Sequence, residues 1–367
     1  MKILLLSAYH GPSHRAWADG LRNTLHEHIF ELVTLPPRFF PWRSRGSALS
    51  WSSLELPENL DLVVATSILD LASLRGLHQQ LSRYPTLVYF HENQFAYPRK
   101  ERGSPFEEAN FLITGIYTAL AGDRLLFNSA FNRDTFLKGA TSLLSKMPDH
   151  VPEGLLEELS KKSALLPVGL GDDLFRVNIK SERTGPLQVL WNHRWEHDKA
   201  PERFLEAMRR LSREGVPFRL SLLGQRFRNL PEKFQTFEAD LKDHIDHLGW
   251  IADLQEYRTL LGAADLVVST ALHDFQGLSV QEGIAAGAIP VVPDRLVYPE
   301  YCPPHFRYPS FPSNPEREIE ALVDHLRPLL TDALATREIH PPSLDHYRWS
   351  YLADEYRKTF QDLVRNF

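Results

Sequence analysis

The chain is 367 residues long, 43% apolar and 24% charged, the composition of a globular protein with room for two separately cored domains. A formal net charge of −6 excludes broad affinity for nucleic acid, which needs surplus Lys and Arg to displace counterions, but leaves a local basic patch open. The one cysteine, Cys302, excludes an intramolecular disulfide or a Cys-rich metal site, and no apolar run approaches the ~20 residues of a membrane span.

The opening MKILLLSAYHGP joins a short apolar run to a polar Ser-His segment, so it reads as a first strand rather than a secretion signal, and the expected location is cytoplasmic. Short β-branched and Leu-rich runs then recur between helical stretches, the rhythm of parallel strands joined by helical crossovers. Strands are predicted over 3–7, 31–35, 61–66, 86–91, 124–128 and 164–168, and again over 188–193, 219–224, 245–249, 265–269 and 289–293. The pattern breaks near 172–186, where Gly169, Gly171 and Gly185 offer backbone freedom. The expected architecture is α/β: one Rossmann-like domain over 1–172, a linker over 173–186, and a second Rossmann-like domain over 187–346. An amphipathic helix follows over 347–367, with Leu352, Tyr356, Phe360, Leu363 and Phe367 at helical spacing. Parallel sheets bind ligands beyond the carboxyl ends of their strands, so two such domains facing a central cleft direct attention to the residues just after each strand.

The most informative of these is HDFQGLSVQEGIAAGAIPVVPD, residues 273–294. Asp274 and Glu282 flank a Gly277-Leu278-Ser279 turn at the start of a small-residue helix. Amides there suit a phosphate or sugar hydroxyl, and carboxylates suit hydroxyl pairs. On spacing alone, a solvated acid and a helix cap explain the segment equally well. In WNHRWEHDKAPERF, residues 191–204, Arg194 and Lys199 stand across a strand-to-helix turn, where a guanidinium and an ammonium can grip a diphosphate together; alone, Lys199 also reads as a surface residue.

Gly11, Ser13 and His14 follow the first strand, where a glycine turn lets backbone amides approach a phosphate or an acceptor. His91 ends the fourth strand, and Glu92, Asn93 and Gln94 add polar groups suited to a diol. From Leu32 through Leu54 there is no acid, while Arg38, Arg43 and Arg45 alternate with Phe39, Phe40, Trp42 and Trp51. This Pro-broken stretch lacks helical periodicity and is expected to be a loop. Its arginines can pair phosphates and its aromatics can stack on splayed-out RNA bases, with Arg99, Lys100 and Arg102 extending the patch. Packing of those aromatics on their own domain is the structural alternative.

Segment 273–294 resembles the E-x7-E region of family 4 retaining glycosyltransferases, with Asp274 in the place of the first Glu and Glu282 as the second. LLPVGLGDDLF, residues 165–175, resembles that family's inter-domain crossover, with Val168 where Asn is common. AYHGPSHRAW (8–17), HENQFAYPRKERG (91–103) and FNSAFNRDTF (127–136), together with WNHRWEHDK, closely resemble the tRNA-queuosine α-mannosyltransferase family. The resemblance implies a GT-B fold with a C-terminal helix packing back across the domains. It also implies retaining transfer of mannose from GDP-mannose to the cyclopentenediol of queuosine in a tRNA anticodon, of tRNA-Asp type. By that resemblance Arg194, Lys199, His91 and Asp274 are catalytic; Gly11, His14, Gly277, Leu278, Ser279 and Glu282 join Arg194 and Lys199 in binding the donor. Ser13, Glu92, Asn93, Gln94 and the basic residues Arg38, Arg43, Arg45, Arg99 and Lys100, with Trp42, would hold the acceptor.

No Asp-x-Asp-like site stands convincingly at a strand end, so neither metal nor cofactor is expected, and no membrane partner. Two alternatives remain: a family 4 transferase acting on a lipid or polysaccharide, and a non-catalytic tRNA-binding protein.

Overall fold

The computed structural model describes residues 1–97, 105–176, 185–225 and 232–367. The chain divides into two units, Met1–Gly169 with Trp349–Phe367, and Leu170–Arg348.

In the first unit β1 (Lys2–Ser7), β2 (Ile29–Thr34), β3 (Leu62–Thr66), β4 (Thr86–Phe90), β5 (Arg124–Phe127) and β6 (Ser163–Leu165) form one parallel sheet in the order β2-β1-β3-β4-β5-β6. β3 and β4 are buried at every position because helices cover both faces, which is why their sequences are continuous rather than alternating apolar runs. The register sets Leu5 opposite Val64 and Val64 opposite Leu87. The helices are α1 (Pro12–Thr24), α2 (Phe40–Ser50), α3 (Leu71–Leu77), α4 (Pro105–Ala121), α5 (Ala130–Leu144) and α6 (Leu155–Lys162). Side-chain caps fix where two of them begin: Asp70 accepts from the Ser73 amide at 3.1 Å and Ser129 from the Asn132 amide at 3.0 Å.

Helix α2 corrects the expectation of a loop over 36–51. Its buried face is built from Arg43, Ser44, Gly46, Ser47 and Ala48 rather than from large apolar residues, so hydrophobic periodicity is absent although the helix is packed. Gly46 is required because a methyl there would lie 2.4 Å from the Trp42 ring.

The second unit repeats the plan. Strands β7 (Leu187–Asn192), β8 (Phe218–Leu223), β9 (Ile245–Gly249), β10 (Leu266–Val268), β11 (Ile289–Pro293) and β12 (Arg307–Tyr308) lie parallel in the order β12-β11-β10-β7-β8-β9. Helices α7 (Pro201–Arg213), α8 (Glu232–Leu241), α9 (Leu254–Ala263), α10 (Leu278–Ala285), α11 (Pro315–Thr331) and α12 (Ala333–Arg337) complete it. The two-residue edge strand β12 is too short, and too closely flanked by prolines, to give a sequence signal. Cys302 is buried, as a structural cysteine should be.

A buried ionic knot braces this unit. Glu318, 1% exposed, accepts from Arg203 at 2.8 Å and from Arg295 at 2.6 and 2.9 Å, and Arg295 also donates to the carbonyls of Thr270 and Ala271 just after β10.

The last helix, α13 (Trp349–Arg365), buries Leu352, Tyr356 and Phe360 as its spacing predicts, while Phe367 is exposed. It packs on α1 of the first unit, where the Trp17 indole donates to the Tyr356 hydroxyl at 3.1 Å. A methyl on Gly20 or on Gly169 would strike the Trp349 ring at 2.3 or 2.4 Å. Gly169 is therefore needed for close approach, not for backbone freedom; Gly185, at φ +99°, is the glycine of that stretch that supplies freedom.

Candidate active site

In each sheet the chain starts from a central strand, builds outward on one side, and then returns to the other side of that strand. The reversals fall between β1 and β3 and between β7 and β10. Ends of strands on either side of such a reversal diverge, and the gap beyond their carboxyl ends is where open parallel sheets take ligands.

At the β7/β10 reversal the loop after β7 carries His193, Arg194 and Lys199, and the loop after β10 carries His273 and Asp274. The Lys199 ammonium donates to the His273 carbonyl at 2.6 Å and stands 3.3 Å from Asp198 and 3.7 Å from Asp274. Asp274 in turn accepts from the Gly277 amide at 3.1 Å and from the Tyr298 hydroxyl at 3.3 Å. Burial pushes the Asp274 carboxyl up, but Lys199 foremost, then His193, His273 and the Gly277 amide, hold it below its ordinary value. The result is a mostly buried, ionised carboxylate beside a mostly buried cation.

Gly277, at φ +72°, precedes α10 in the left-handed region, and a methyl there would lie 2.5 Å from the Tyr301 hydroxyl. Intrahelical bonding of α10 begins with the Val280 and Gln281 amides on the Gly277 carbonyl, so the amides of Leu278 and Ser279 open the helix ahead of it. The Ser279 hydroxyl lies 3.3 Å from His193 Nδ1. His193 is buried, and burial first, then Lys199, lowers its imidazole to about 4, so it is neutral at pH 7 with Nε2 unpartnered. Gly224 secures this turn: it has φ +110°, and a methyl would sit 2.0 Å from the His193 carbonyl oxygen.

Arg194 is half exposed and donates to Glu196 at 2.8 Å. Among the described residues no hydrogen bond or ion pair joins it to the Lys199 cluster, although Arg194 and Lys199 both depress His193. Glu282, on α10, accepts from the Tyr257 hydroxyl at 2.5 Å, and the Asn192 amide donates to that hydroxyl at 2.7 Å. Burial raises the Glu282 carboxyl.

In the first unit the first turn of α1, which follows β1, and the loop after β4 bring His14 and His91 into a face-to-face stack, ring centroids 4.0 Å apart. Trp17 meets His91 edge-on at 4.9 Å and Tyr89 lies 4.7 Å away. Burial foremost, then His14 and His10, holds His91 well below its ordinary value, so it is neutral. His14 Nε2 lies 3.5 Å from Glu92. Three buried polar atoms here, His14 Nδ1, His91 Nε2 and Glu92 Oε1, have no hydrogen-bond partner. Such atoms offer hydrogen-bonding capacity to a ligand or to ordered water.

Gln94 and Glu92 line a small cavity with Phe40, Phe95 and Thr114. Asn93 departs from the acceptor role expected of it. Its amide donates to the Asn132 carbonyl, the Asn132 side chain and Thr135 at 2.8–3.0 Å, and its oxygen accepts from the amides of Phe95 and Ala96. With every donor and acceptor engaged, it shapes the loop instead. Gly11 has an ordinary φ of −76° and space for a methyl, so no steric demand for glycine exists there; Ser13 is exposed at the start of α1.

The basic segment divides. Arg43 is buried, and Arg45 donates to Asp70 at 3.2 Å and to Thr114 at 3.0 Å, so only the Arg38, Phe39 and Trp42 stretch stands free, with Phe39 69% and Trp42 52% exposed. Arg99, Lys100 and Arg102 lie outside the described residues. Among the described residues no three His, Cys, Asp or Glu side chains group in a way that could hold a metal ion, and no helix is long and apolar enough to cross a membrane. Sequence reasoning missed His193, Asn192, Tyr257 and Tyr298: His193 and Asn192 lay inside the segment 191–204 already singled out, whereas Tyr257 and Tyr298 reach Glu282 and Asp274 only after folding.

Two Rossmann-like units, with a cation-carboxylate pair and a helix start at the switch point of the second, define a glycosyltransferase of the GT-B fold. In solved structures the fold recurs in sucrose-phosphate synthase from Thermosynechococcus elongatus, at TM-score 0.68 and 13% identity with 100% of each chain covered. It recurs also in a glycosyltransferase from Rickettsia africae, at TM-score 0.66 and 14% identity, covering 100% of this chain and 99% of that one. Residues 2–170 match the family described as tRNA-queuosine alpha-mannosyltransferase N-terminal, and residues 176–340 match glycosyl transferases group 1. Over 311 residues the chain is 32% identical to the tRNA-queuosine alpha-mannosyltransferase of Drosophila melanogaster, covering 82% of this chain and 81% of that protein. The chain belongs to the tRNA-queuosine alpha-mannosyltransferase family.

Proposed function

We propose that this protein transfers mannose from GDP-mannose to the cyclopentenediol of queuosine in the anticodon of a tRNA, of tRNA-Asp type, in the cytoplasm, with retention of configuration and without a metal. The observation that carries the reading is the Lys199–Asp274–Gly277 arrangement at the second switch point, in a chain of this family. The second unit takes the donor: Lys199 and Arg194 meet the diphosphate together with the amides of Leu278 and Ser279, Asp274 faces the hexose, and Glu282 faces the ribose. The first unit takes the acceptor. Unpartnered atoms of Glu92 and His91 meet hydroxyls, and Arg38, Phe39 and Trp42 offer phosphate pairing and base stacking to a single-stranded loop.

In the transfer, the bond from the hexose anomeric carbon to the diphosphate oxygen breaks, and the acceptor oxygen bonds to that carbon on the same face. The acceptor's proton passes to the departing phosphate oxygen, so no side-chain nucleophile is needed. Charge builds on the diphosphate as it leaves, and Lys199 and Arg194 stabilise it there.

The test is mass spectrometry of nucleosides from queuosine-containing tRNA incubated with the protein and a panel of nucleotide sugars, with and without chelator. Mannosyl-queuosine formed from GDP-mannose alone, at equal rates in both conditions, is the expected result. Transfer to a membrane extract but not to tRNA, or tRNA binding with no transfer, refutes it.

A further inference from the structure

Glu282 is held by a hydrogen-bond chain that crosses three elements. Asn192 ends β7, Tyr257 lies on α9, and Glu282 lies on α10. A tyrosine has a single hydroxyl proton. Because the Asn192 amide donates to the hydroxyl oxygen at 2.7 Å, that oxygen's acceptor capacity is engaged and its proton is directed at Glu282 Oε2, 2.5 Å away. Among the described residues Glu282 is hydrogen-bonded through Oε2 only, which leaves Oε1 as an acceptor. The carboxyl is thus locked in rotation with one oxygen engaged and the other presented. An unrestrained Glu would lose rotamer freedom on binding a ligand, whereas this one has already lost it.

We infer that Tyr257 is a positioning residue that orients Glu282 so that Oε1 accepts from a vicinal diol of the donor nucleoside. The inference rests on the proposed donor reading of Glu282. It adds that recognition of the diol depends on a residue that does not touch it, with Asn192 setting the direction of the chain.

Calorimetric binding of GDP and of 2′,3′-dideoxy-GDP to the full chain separates the two claims. Wild type should prefer GDP by roughly a hundredfold, since the dideoxy ligand covers the Oε1 acceptor without pairing it. Tyr257→Phe keeps the ring and removes the hydroxyl; it should cut that preference to about tenfold or less and raise the donor KM about tenfold with little change in kcat. Asn192→Ala should cut the preference in the same direction by a smaller factor, which keeps the inference testable if Tyr257→Phe does not fold. A folded Tyr257→Phe protein with undiminished GDP preference overturns the positioning role and leaves the donor reading standing. Equal binding of the two ligands to wild type overturns the donor reading of Glu282, and the inference with it.

Discussion

Replacing Lys199 by Met keeps the length and apolar stem of the side chain and removes its charge, so the variant isolates electrostatics from packing. In the structure the ammonium stands 3.7 Å from Asp274, and two unit charges at such a distance in an effective dielectric of about 20 interact by about 4 kcal/mol. Asp274 is too buried to stay ionised at that cost; without its cation, burial dominates and its carboxyl rises above its ordinary value. Two results follow. Turnover should fall on the order of a hundredfold to a thousandfold, since the leaving diphosphate loses a fixed positive charge. The pH dependence of stability should also change sign at this group. In wild type the lowered carboxyl contributes stability above the unfolded value of about 3.9 that is lost only as pH falls through the folded value. In the variant the raised carboxyl makes the protein lose stability as pH rises from about 4 through the new folded value. Single-turnover transfer to tRNA and urea midpoints at pH 5 and 8 measure both. A rate within about threefold of wild type, with no added loss of stability toward pH 8, would refute the role assigned to Lys199.

Arg194→Ala should lower turnover by about a hundredfold with no loss of stability, because the side chain is half exposed and its Glu196 partner sits in solvent; rates and melting temperature together check it. Glu318→Ala leaves Arg203 and Arg295 uncompensated in the interior and should cost about 3–5 kcal/mol, read from chemical denaturation. Gly224→Ala should destabilise by roughly 3 kcal/mol or more, since it adds a left-handed strain to a methyl placed 2.0 Å from the His193 carbonyl oxygen; urea midpoints and GDP affinity should both fall. His193 is lowered to about 4, so it favours the fold when neutral. That stability is complete above pH 6.5 and is lost as pH falls toward 4, by roughly 3 kcal/mol. His193→Asn should flatten this acid slope in denaturation measured at pH 7.5 and 4.5.

What the sequence made legible follows from how strongly each feature is written in side-chain pattern. Strands such as β3 and β4 are continuous apolar runs because both faces are buried, and the predicted spans 61–66 and 86–91 differ from the observed ends by one residue. Helix α2 was illegible for the opposite reason: its packed face is Ser, Gly, Ala and a buried Arg, held by contacts such as the Ser47 hydroxyl accepting from the Asp70 amide at 3.2 Å. Those partners are separated by 23 residues, and local periodicity carries no trace of them. The same limit applied to the sites. Spacing alone also allowed a surface Lys, a solvated acid and a helix cap. Lys199, Asp274 and Glu282 were singled out because each stands in a turn after a strand or at a helix start and because their segments resemble family 4 glycosyltransferases. Asn192 and Tyr257 were not, because their value lies in a contact that exists only once β7, α9 and α10 are assembled.

The buried residues around Asp274 form one continuous chain of hydrogen bonds. Glu318 holds Arg295, Arg295 holds the carbonyls of Thr270 and Ala271, and the Thr270 hydroxyl donates to the Lys199 carbonyl at 2.9 Å. The loop after β10 and the turn carrying Lys199 are therefore tied to one buried carboxylate, Glu318. Ala200, next in sequence, is held at φ +45°, a conformation costly for a residue with a side chain and sustained here by complete burial. A cation placed by such contacts does not reorganise when charge develops on a leaving group, and this preorganisation gives a fixed ammonium its advantage over mobile solvent. On the proposed role of Lys199 the Glu318 knot is a positioning element, and a Glu318 variant that still folds should lose turnover in proportion to how far Lys199 is released.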